Sequence, residues 1–397
     1  MTRFTIASFN VKNLIGPDKE YYKFQSYTPE EYAWKQDWLA DQLLTMDADI
    51  VCFQEIFEEE ALRNVIAEAD TRGIAANDAT IPDKSKPYRK KAIFRKLGYT
   101  PYTDAALVFA PNTNDGAPGQ RRPGIALLSR FGFNGKLEII QDLPAPLRIP
   151  MQELGGGDAG HYQITRLSRP ILKVRVPVGR DTITVFNCHL KSKLGEFIRP
   201  ADTEFAPESD LTQYDPVGRA MGALRAALRR MAEAWVLRSA ILEELKAGHP
   251  VMVTGDFNDG EHAVSSEIIS GELPFKNYSW MLRHDAKSAN DRYTKSENKQ
   301  IAEDVESVRL HSAEKLFVQK SLRDMVYTSA FGGVYESIDQ IYMSRHFLPT
   351  TDKSIGEMEY FSVLNDHLTD GSHAEAPYNK LASDHGQILA HMRLNRS

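Results

Sequence analysis

Eight polar residues of this sequence stand at the ends of apolar, strand-like runs, where their side chains can face a ligand. Asn10, Glu55, His189, Asp256 and Asn258 follow such runs, Asp339 begins one, and Asp384 and His385 immediately precede another. Carboxylates, amides and imidazoles are the groups that hold a hard cation, activate water and protonate a leaving alkoxide. One such residue alone commonly caps a turn, but the whole set favours a reactive site.

These residues are far apart in the sequence, so only tertiary folding can bring them together. We expect the strands that begin at Asp339 and after His385 to run antiparallel to the others. Strand ends and strand starts would then meet at one edge of the structure.

The first part of the chain carries the signals of a strand followed by a helix. Residues 3–10 alternate between two faces with a period of two, which predicts a strand over this range. Thr28, Pro29 and Glu31 have the types of an N-cap, a first-turn proline and a capping-box acid. They predict a helix that continues to about Met46.

Later segments add strands and one long helix. Further strands are predicted at 49–55, 124–129, 171–176, 182–190, 250–254, 338–344 and 386–391. The segment 216–245 is rich in Ala, Leu, Arg and Glu, with Gly248 as a stop, and predicts a helix. Its arginines form either a phosphate-facing stripe or, as we favour, a solvated face with local ion pairs. They are Arg219, Arg225, Arg229, Arg230 and Arg238.

The polar strand ends are spread over nearly the whole chain, which predicts one catalytic domain over 1–397 rather than several domains. Insertions are expected near 76–92, 195–215 and 260–330, with loops at 76–92 and 284–306, where charged and polar residues dominate. A G-x-G-x-x-G pattern at 155–160 follows the segment PLRIPMQEL, which is not strand-like, and no helix follows. A flexible loop is therefore predicted there rather than a dinucleotide site.

Composition excludes several classes of protein. The chain of 397 residues is 42% hydrophobic and 26% charged, as in ordinary globular proteins. Cys52 and Cys188 both lie in apolar runs, which favours buried free thiols over a disulfide framework. No apolar run is long enough to span a membrane and no signal peptide is visible, so a cytoplasmic location is expected. The net charge of −6 does not supply the basic field of a DNA-coating protein, although a local basic groove stays open.

The residues above fall within motifs that, in their order, resemble the endonuclease/exonuclease/phosphatase superfamily. The motifs are SFNVKNL, DIVCFQEIF, RPGIALLSR, FNCHLKSK, TGDFND, SIDQIYMS and LASDHGQI. The resemblance covers nearly the whole chain and implies an α/β (α+β) fold. This fold is a four-layer αββα sandwich, in which two packed mixed β-sheets are flanked by helices and the site lies at one end between them.

The resemblance also implies a role for each residue. Asn10, Glu55 and Asp384 would bind the metal, Mg²⁺ or Mn²⁺, which oxygen and amide ligands suit better than zinc. The catalytic set would be His189, Asp256, Asn258, Asp339 and His385. Asp256 would orient or deprotonate water, and His385 with Asp339 would assist the nucleophile or stabilise the transition state. His189, Asn258, Lys191 and more weakly Lys193 would contact phosphate, and His189 is also the candidate to protonate the leaving oxygen.

Two departures from the family pattern bear on these roles. Deoxyribonuclease I-like members pair the counterpart of His189 with a glutamate on a preceding strand, whereas the stretch 167–172 here supplies Arg169 and no acid. Phosphate contact is therefore favoured over general-acid duty for His189. The tyrosine of exonuclease III-like members has no evident counterpart, which disfavours a repair endonuclease. His367, in the final loop, is a minor candidate for substrate contact.

The resulting hypothesis is a divalent-metal-dependent hydrolase of phosphodiesters, with a nuclease acting on DNA or RNA as the first version. The alternative is a phosphatase or phosphodiesterase for a small-molecule or lipid phosphoester, which the acidic net charge favours. An inactive scaffold is disfavoured because all the site groups are present. No protein partner and no integral membrane association are expected.

Overall fold

A computed structural model gives the architecture that positions these residues. It describes residues 2–22, 25–78, 98–112, 121–152, 158–198, 206–272, 294–321, 326–370, 379 and 381–395. The helices in these ranges are α1 (Pro29–Met46), α2 (Glu59–Asp78), α3 (Pro216–Lys246), α4 (Val264–Ser270), α5 (Lys295–Val308) and α6 (Ala313–Ser321). Residues 76–78 of the expected loop at 76–92 belong to α2, and the rest of that loop lies outside the described residues. Parts of the expected insertions at 195–215 and 260–330 also lie outside them.

The strands of the described residues form two mixed sheets and a separate hairpin. They are β1 (Thr2–Leu14), β2 (Ile50–Ile56), β3 (Ala106–Ala110), β4 (Gly124–Ser129), β5 (Asn134–Gln152), β6 (Asp158–Val178), β7 (Asp181–His189), β8 (Val251–Asp256), β9 (Leu310–Ser312), β10 (Ser329–Phe331), β11 (Val334–Glu336), β12 (Asp339–Ser344), β13 (Gly356–Leu364) and β14 (Gln387–Leu394). The first sheet has the order β13-β14-β1-β2-β4-β3 and the second β5-β6-β7-β8-β12-β9, while β10 and β11 pair alone.

The two sheets pack face to face, and helices cover their outer faces. Apolar residues of β1, β2 and β4 meet those of β6, β7 and β8 in a central core. A second cluster joins the outer face of the first sheet to α1 and α2, and a third joins the second sheet to α3. The predicted four-layer αββα sandwich of two mixed sheets is therefore confirmed.

The period of two decides which side of each strand enters which core. In β2, Ile50 and Cys52 face the second sheet, whereas Val51 and Phe53 face the helices. The run of consecutive apolar residues at the start of β2 is thus buried on both faces of the strand. Both cysteines are buried free thiols, as predicted.

Local signals placed the helix starts correctly. Thr28 Oγ1 accepts a hydrogen bond from Glu31 N, and the Glu31 side chain accepts one from Thr28 N, which completes the predicted capping box. Asp215 caps α3 by accepting from Val217 N and Gly218 N.

The structure differs from the sequence predictions in four places. Strand β1 does not end at residue 10: it continues to Leu14 through Lys12 and Asn13, both in the left-handed region. The segment PLRIPMQ, which was not expected to be a strand, belongs to β5. Its prolines are tolerated because β5 is an edge strand that pairs only with β6.

A helix also replaces part of the expected loop at 284–306. Thr294 and Glu297 form a capping box that starts α5, so a largely polar segment becomes helical. The prediction of a solvated arginine face on α3 is wrong for two of its five arginines. Arg225 and Arg230 are buried and form ion pairs with Glu208 and Asp259.

Candidate active site

The predicted site residues of the first sheet lie at the ends of β1 and β2 and just before the start of β14. Strands β1 and β2 are parallel, with Asn10 beside Gln54 and next to Glu55. Strand β14 runs antiparallel to β1, so the residues that precede it, Asp384 and His385, lie beside the end of β1. The expected antiparallel arrangement holds in this sheet.

The second sheet repeats this arrangement. Parallel pairing of β7 and β8 sets His189 beside Asp256, and antiparallel pairing of β12 sets Asp339 on the other side of Asp256. All three residues are buried. They form a row across three strands at the edge that faces the first sheet.

Asn10 connects the two halves of the site. Its Nδ2 lies 3.0 Å from Asp256 Oδ2 and 3.3 Å from Glu55 Oε1. Its Oδ1 accepts from Lys12 N at 3.0 Å, so the amide turns its hydrogen-bond donors toward the carboxylates. Glu55 Oε2 accepts from Asn13 N at 3.0 Å. The bulge at the end of β1 thus holds both predicted metal ligands, with Asn10 Nδ2 rather than Oδ1 facing the carboxylates.

His385 and Asp339 form the predicted histidine-carboxylate pair. His385 Nδ1 lies 2.8 Å from Asp339 Oδ2, and His385 Nε2 lies 3.8 Å from Asp256 Oδ2. Burial alone lowers the pKa of His385, but Asp339 and Asp256 outweigh it and raise this pKa well above its ordinary value. Ligand atoms of the three residues lie within 4.8 Å of one another, a spacing that suits a metal ion.

Asp256 is the most connected carboxylate of the site. Its Oδ1 accepts from Asn258 N at 2.8 Å, and its Oδ2 lies 3.3 Å from His189 Nε2. Burial, helped by Asp339, raises the pKa of Asp256 to about 7, although His385 acts against this. A carboxyl group that titrates near neutrality can exchange a proton with water at that pH.

His189 has the opposite electrostatics. Burial, together with the positive charges of Arg169, His385 and Lys191, lowers its pKa well below the ordinary value. Its Nδ1 is buried without a hydrogen-bond partner in the described part of the chain, and so is Asp339 Oδ1. Buried polar atoms are seldom left unpaired, so both atoms indicate that the site receives a polar ligand.

Two site residues adopt left-handed backbone conformations. Glu55 has a φ of 64° and Asn258 a φ of 53°. Non-glycine residues held in this region store strain, and such strain concentrates at functional sites. Asn258 Nδ2 donates to Leu190 O at 2.9 Å, which holds its side chain next to the end of β7.

Three predicted residues make their nearest described contacts elsewhere. Asp384 is 53% exposed and forms an ion pair with Lys12 at 3.6 Å. Lys191 Nζ donates to Leu194 O at 2.8 Å, and Lys193 Nζ contacts Glu336 Oε2 at 2.7 Å. The two lysines would have to leave these partners to contact a phosphate.

A cavity of about 450 Å³ opens beside Asn258. It is lined by Lys193, Asp259, Gly260, Glu261, His262, Ala263, Glu314, Val326, Glu336 and Ser337. Burial raises the pKa of Glu314 to about 7, and the neighbouring charge of Glu261 adds to this shift. Acidic residues outnumber basic ones around this cavity.

Some residues that the sequence did not single out hold the loop that carries His385. Lys35 of α1 is 0% exposed and donates to Leu381 O at 3.0 Å, next to the loop that carries His385. Burial, reinforced by Lys12, lowers the pKa of Lys35 to about 7. The signal was its position on the apolar face of α1, between Tyr32 and Leu39.

Two further contacts fix that loop. Ser383 Oγ donates to Asn10 O at 2.6 Å and accepts from His385 N at 3.0 Å. His367 Nε2 donates to His385 O at 2.9 Å, while its ring meets Trp38 edge-on at 5.0 Å. The hydrogen bond of His367 is thus made to the backbone of a site residue.

The family model described as "Endonuclease/Exonuclease/phosphatase family" matches residues 7–385. The chain belongs to this family. Its members are hydrolases of phosphoesters, so the chain is a family hydrolase in which the strand-end residues form the candidate site. No curated protein matches the sequence. None of the helices in the described ranges is long and apolar enough to cross a membrane.

Solved structures of the endonuclease/exonuclease/phosphatase family are similar to this chain. A family protein from Bacteroides thetaiotaomicron is 13% identical, with 98% of this chain and 97% of that one covered and a TM-score of 0.44. A mannosyl-6-phosphatase of the same organism is 12% identical (98% and 99% covered, TM-score 0.43). The human Nocturnin catalytic domain is also 12% identical (99% and 95% covered, TM-score 0.40).

Proposed function

We propose that this chain is a divalent-metal-dependent phosphodiesterase, with DNA or RNA as its first candidate substrate. The observation that carries the proposal is the position of Asp256. It lies within 3.3 Å of Asn10, His189 and Asn258 and 3.8 Å from His385 Nε2, the charged imidazole of the site, and it pairs in register with Asp339. A base, a charged imidazole and amide donors thus surround one point, as an attack of water on phosphorus requires.

Asp256 is the proposed base. Its pKa of about 7 allows it to accept a proton from the attacking water at neutral pH. The hydrogen bonds from Asn10 and Asn258 hold the carboxylate in place, so little reorganisation accompanies the proton transfer.

His385 is the proposed stabiliser of charge on the reacting phosphate. Asp339 fixes its Nδ1 and raises its pKa, so the imidazolium form persists at neutral pH. Its Nε2 then points a charged donor toward Asp256 and the space beside it. Between the two roles that the sequence left open, this charge state supports transition-state stabilisation over activation of the nucleophile.

His189 is proposed to donate to a phosphate oxygen rather than to protonate the leaving group. Its lowered pKa keeps the ring neutral, and a neutral imidazole holds no spare proton for a leaving alkoxide. Its N–H group can still bind phosphate, and Asn258 Nδ2 lies nearby for the same purpose. Lys191 and Lys193 are proposed as additional phosphate contacts.

The donor set fits a hard divalent cation, Mg²⁺ or Mn²⁺. The carboxylates of Glu55 and Asp256 contact Asn10, and that of Asp339 lies beside Asp256. Asp339 Oδ1 has no hydrogen-bond partner among the described residues, so an oxygen remains that can face a cation. We propose Glu55, Asn10 and Asp384 as the residues that hold the cation. When bound, it would act as a Lewis acid on a phosphate oxygen.

A phosphoester of a small molecule or lipid is the second candidate substrate. The cavity beside Asn258 favours it, because the acidic residues that line it, which include Asp259 and Glu336, outnumber the basic ones and disfavour a polyanion on that side. The net charge of −6 acts in the same direction.

Hydrolysis of bis(p-nitrophenyl) phosphate and p-nitrophenyl phosphate, with Mg²⁺, Mn²⁺ or EDTA, tests the proposal. We expect metal-dependent cleavage of the diester by the wild type and its loss in Asp256→Ala and His385→Ala. His161→Ala, an exposed histidine of β6, is the control and should retain activity. Cleavage of the monoester alone would favour a phosphatase, and activity in EDTA would contradict the metal requirement.

A further inference from the structure

Glu233 is a buried carboxylate that joins two segments on the phosphate side of the site. It lies in α3 and is 2% exposed. Its Oε1 accepts from Ser168 N at 2.8 Å, and its Oε2 accepts from Lys191 N at 2.7 Å. One side chain therefore ties β6, at the residue before Arg169, to the end of β7, two residues after His189.

The burial of this carboxylate is accounted for by backbone hydrogen bonds rather than by an ion pair. An ionised acid away from water is strongly destabilising unless it is paired with a cation or well hydrogen-bonded. Glu233 forms no ion pair with any residue in the described ranges, and its recorded partners there are the two backbone N–H groups. Both oxygens of the Glu233 carboxylate are therefore used to hold backbone N–H groups.

Arg230, one turn earlier on α3, also binds the segment that follows β7. Its guanidinium donates to Lys191 O at 3.1 Å and Ser192 O at 3.3 Å, and to Asp259 Oδ2 at 2.7 Å. The N–H and the C=O of Lys191 are therefore held by two residues of one helix. Asp259 directly follows Asn258, so the same helix also reaches the third phosphate-side segment.

We propose that Glu233 is a positioning residue for phosphate binding, which sets the distance between Arg169 and His189 by holding Ser168 and Lys191 on one carboxylate. The inference rests on the proposed role of His189 as a phosphate donor. Glu233 itself is separated from the reacting atoms by the backbone it binds. Its loss would let the ends of β6 and β7 shift independently, and shifts of this size weaken transition-state contacts.

The test compares two buried acids of α3. Glu233→Gln keeps the shape but leaves one of the two N–H groups without an acceptor. Glu244→Gln is the matched control, because Glu244 is 5% exposed and also hydrogen-bonded, to Thr184 and Lys173, near the C-terminal end of the helix. Both variants should unfold at a lower temperature than the wild type.

Only the Glu233 variant should change phosphate recognition. With bis(p-nitrophenyl) phosphate well below the unfolding temperatures, we expect kcat/KM to fall on the order of 10- to 100-fold in Glu233→Gln. The inhibition constant of inorganic phosphate should rise with it. In Glu244→Gln both should stay within about twofold of the wild type. A role in stability alone would move the two variants together.

Glu233→Asp keeps the test decisive if the glutamine variant fails to fold. It retains the charge but is one methylene shorter, so it cannot reach both N–H groups, and the same two changes are expected to a smaller extent. An unchanged kcat/KM and phosphate inhibition constant in a folded Glu233 variant would overturn the inference alone. An inactive wild type would overturn the proposed function and this inference with it.

Discussion

At the scale of single residues, the site depends on charges that burial and neighbours hold away from their usual state. Asp256 is partly protonated at neutral pH, His385 is charged and His189 is neutral. Each departure has a physical cause in the residues around it, and each therefore predicts a dependence on pH.

Asp256 should make the metal-free protein less stable as the pH rises. Burial raises its pKa from 3.8 to about 7, so between these values the folded state binds a proton that the unfolded state has lost. The free energy of unfolding then falls with increasing pH across this window. In EDTA, the unfolding temperature of the wild type relative to Asp256→Asn should fall from pH 3.8 to about 7. A constant difference between the two would contradict the raised pKa.

Asp339 should determine the upper pH limit of activity through His385. Asp339→Asn removes the carboxylate that raises the pKa of His385 and orients its ring. We expect kcat to fall by on the order of 10²-fold or more, and the loss of activity at high pH to begin at a lower pH than in the wild type. The pH dependence of kcat/KM measures this shift. A variant with reduced activity but an unshifted profile would show that Asp339 does not control the charge of His385.

At the scale of elements, the predictions that succeeded rest on local signals. The capping box at Thr28, the helix from Pro216, the alternation in β1 and the short apolar run of β2 depend on neighbours a few residues away. Polar residues at strand ends are signals of the same kind, so the candidate residues of the site could be named from sequence. Their mutual distances could not be, because those depend on how the sheets pack.

The predictions that failed depend on contacts distant in sequence. Strand β5 is a strand because β6 pairs with it, and Arg225 is buried because Glu208 reaches it from outside the helix. Lys35 and Glu233 escaped notice for the same reason: their partners, Leu381 and Lys191, are remote in sequence. A buried charge is recognisable only once its partner is known.

Between the two sheets, Asn187 and Gln54 form a hydrogen-bonded bridge beneath the site. Gln54 Nε2 donates to Asn187 Oδ1 at 2.8 Å, and Asn187 Nδ2 donates to Ala126 O at 2.8 Å and Phe53 O at 3.1 Å. All of these atoms are buried. The bridge therefore joins β7 to β2 and β4 across the central core.

Asn187→Ala should destabilise the fold by roughly 2–4 kcal/mol, because one N–H of Gln54 Nε2 loses its acceptor and a cavity opens, while the other N–H still donates to Cys52 O. Urea unfolding gives this value from the shift of the midpoint. Replacing both partners, in Gln54→Leu with Asn187→Leu, should recover part of the loss, since the amide donors and acceptors of the pair are removed together and only Ser8 Oγ loses a side-chain acceptor. A double variant less stable than Asn187→Ala would mean that the carbonyl groups, not the side-chain pair, set the cost.

At the scale of the whole molecule, the site lies where the ends of parallel strands from both sheets meet. Asn10 and Glu55 come from the first sheet, and His189 and Asp256 from the second. The fold therefore fixes the reacting groups on rigid strands, and the loops beyond them are left to select the substrate. The balance of charge around those loops is the feature of the protein that decides between a polynucleotide and a small phosphoester as substrate.

If the substrate is a polynucleotide, its KM should depend on the salt concentration. The described cations next to the phosphate side are Arg169, Lys191 and Lys193, so we expect about two to three phosphate contacts. The logarithm of KM should then rise with that of the salt concentration with a slope of about 2, and single-stranded DNA should inhibit diester cleavage. Lys193→Ala should lower the slope by about 1 without abolishing turnover, because its ammonium contacts Glu336 rather than the catalytic groups. A KM independent of salt, with no competition by DNA, would instead favour a small or lipid phosphoester, whose single phosphate displaces few counterions.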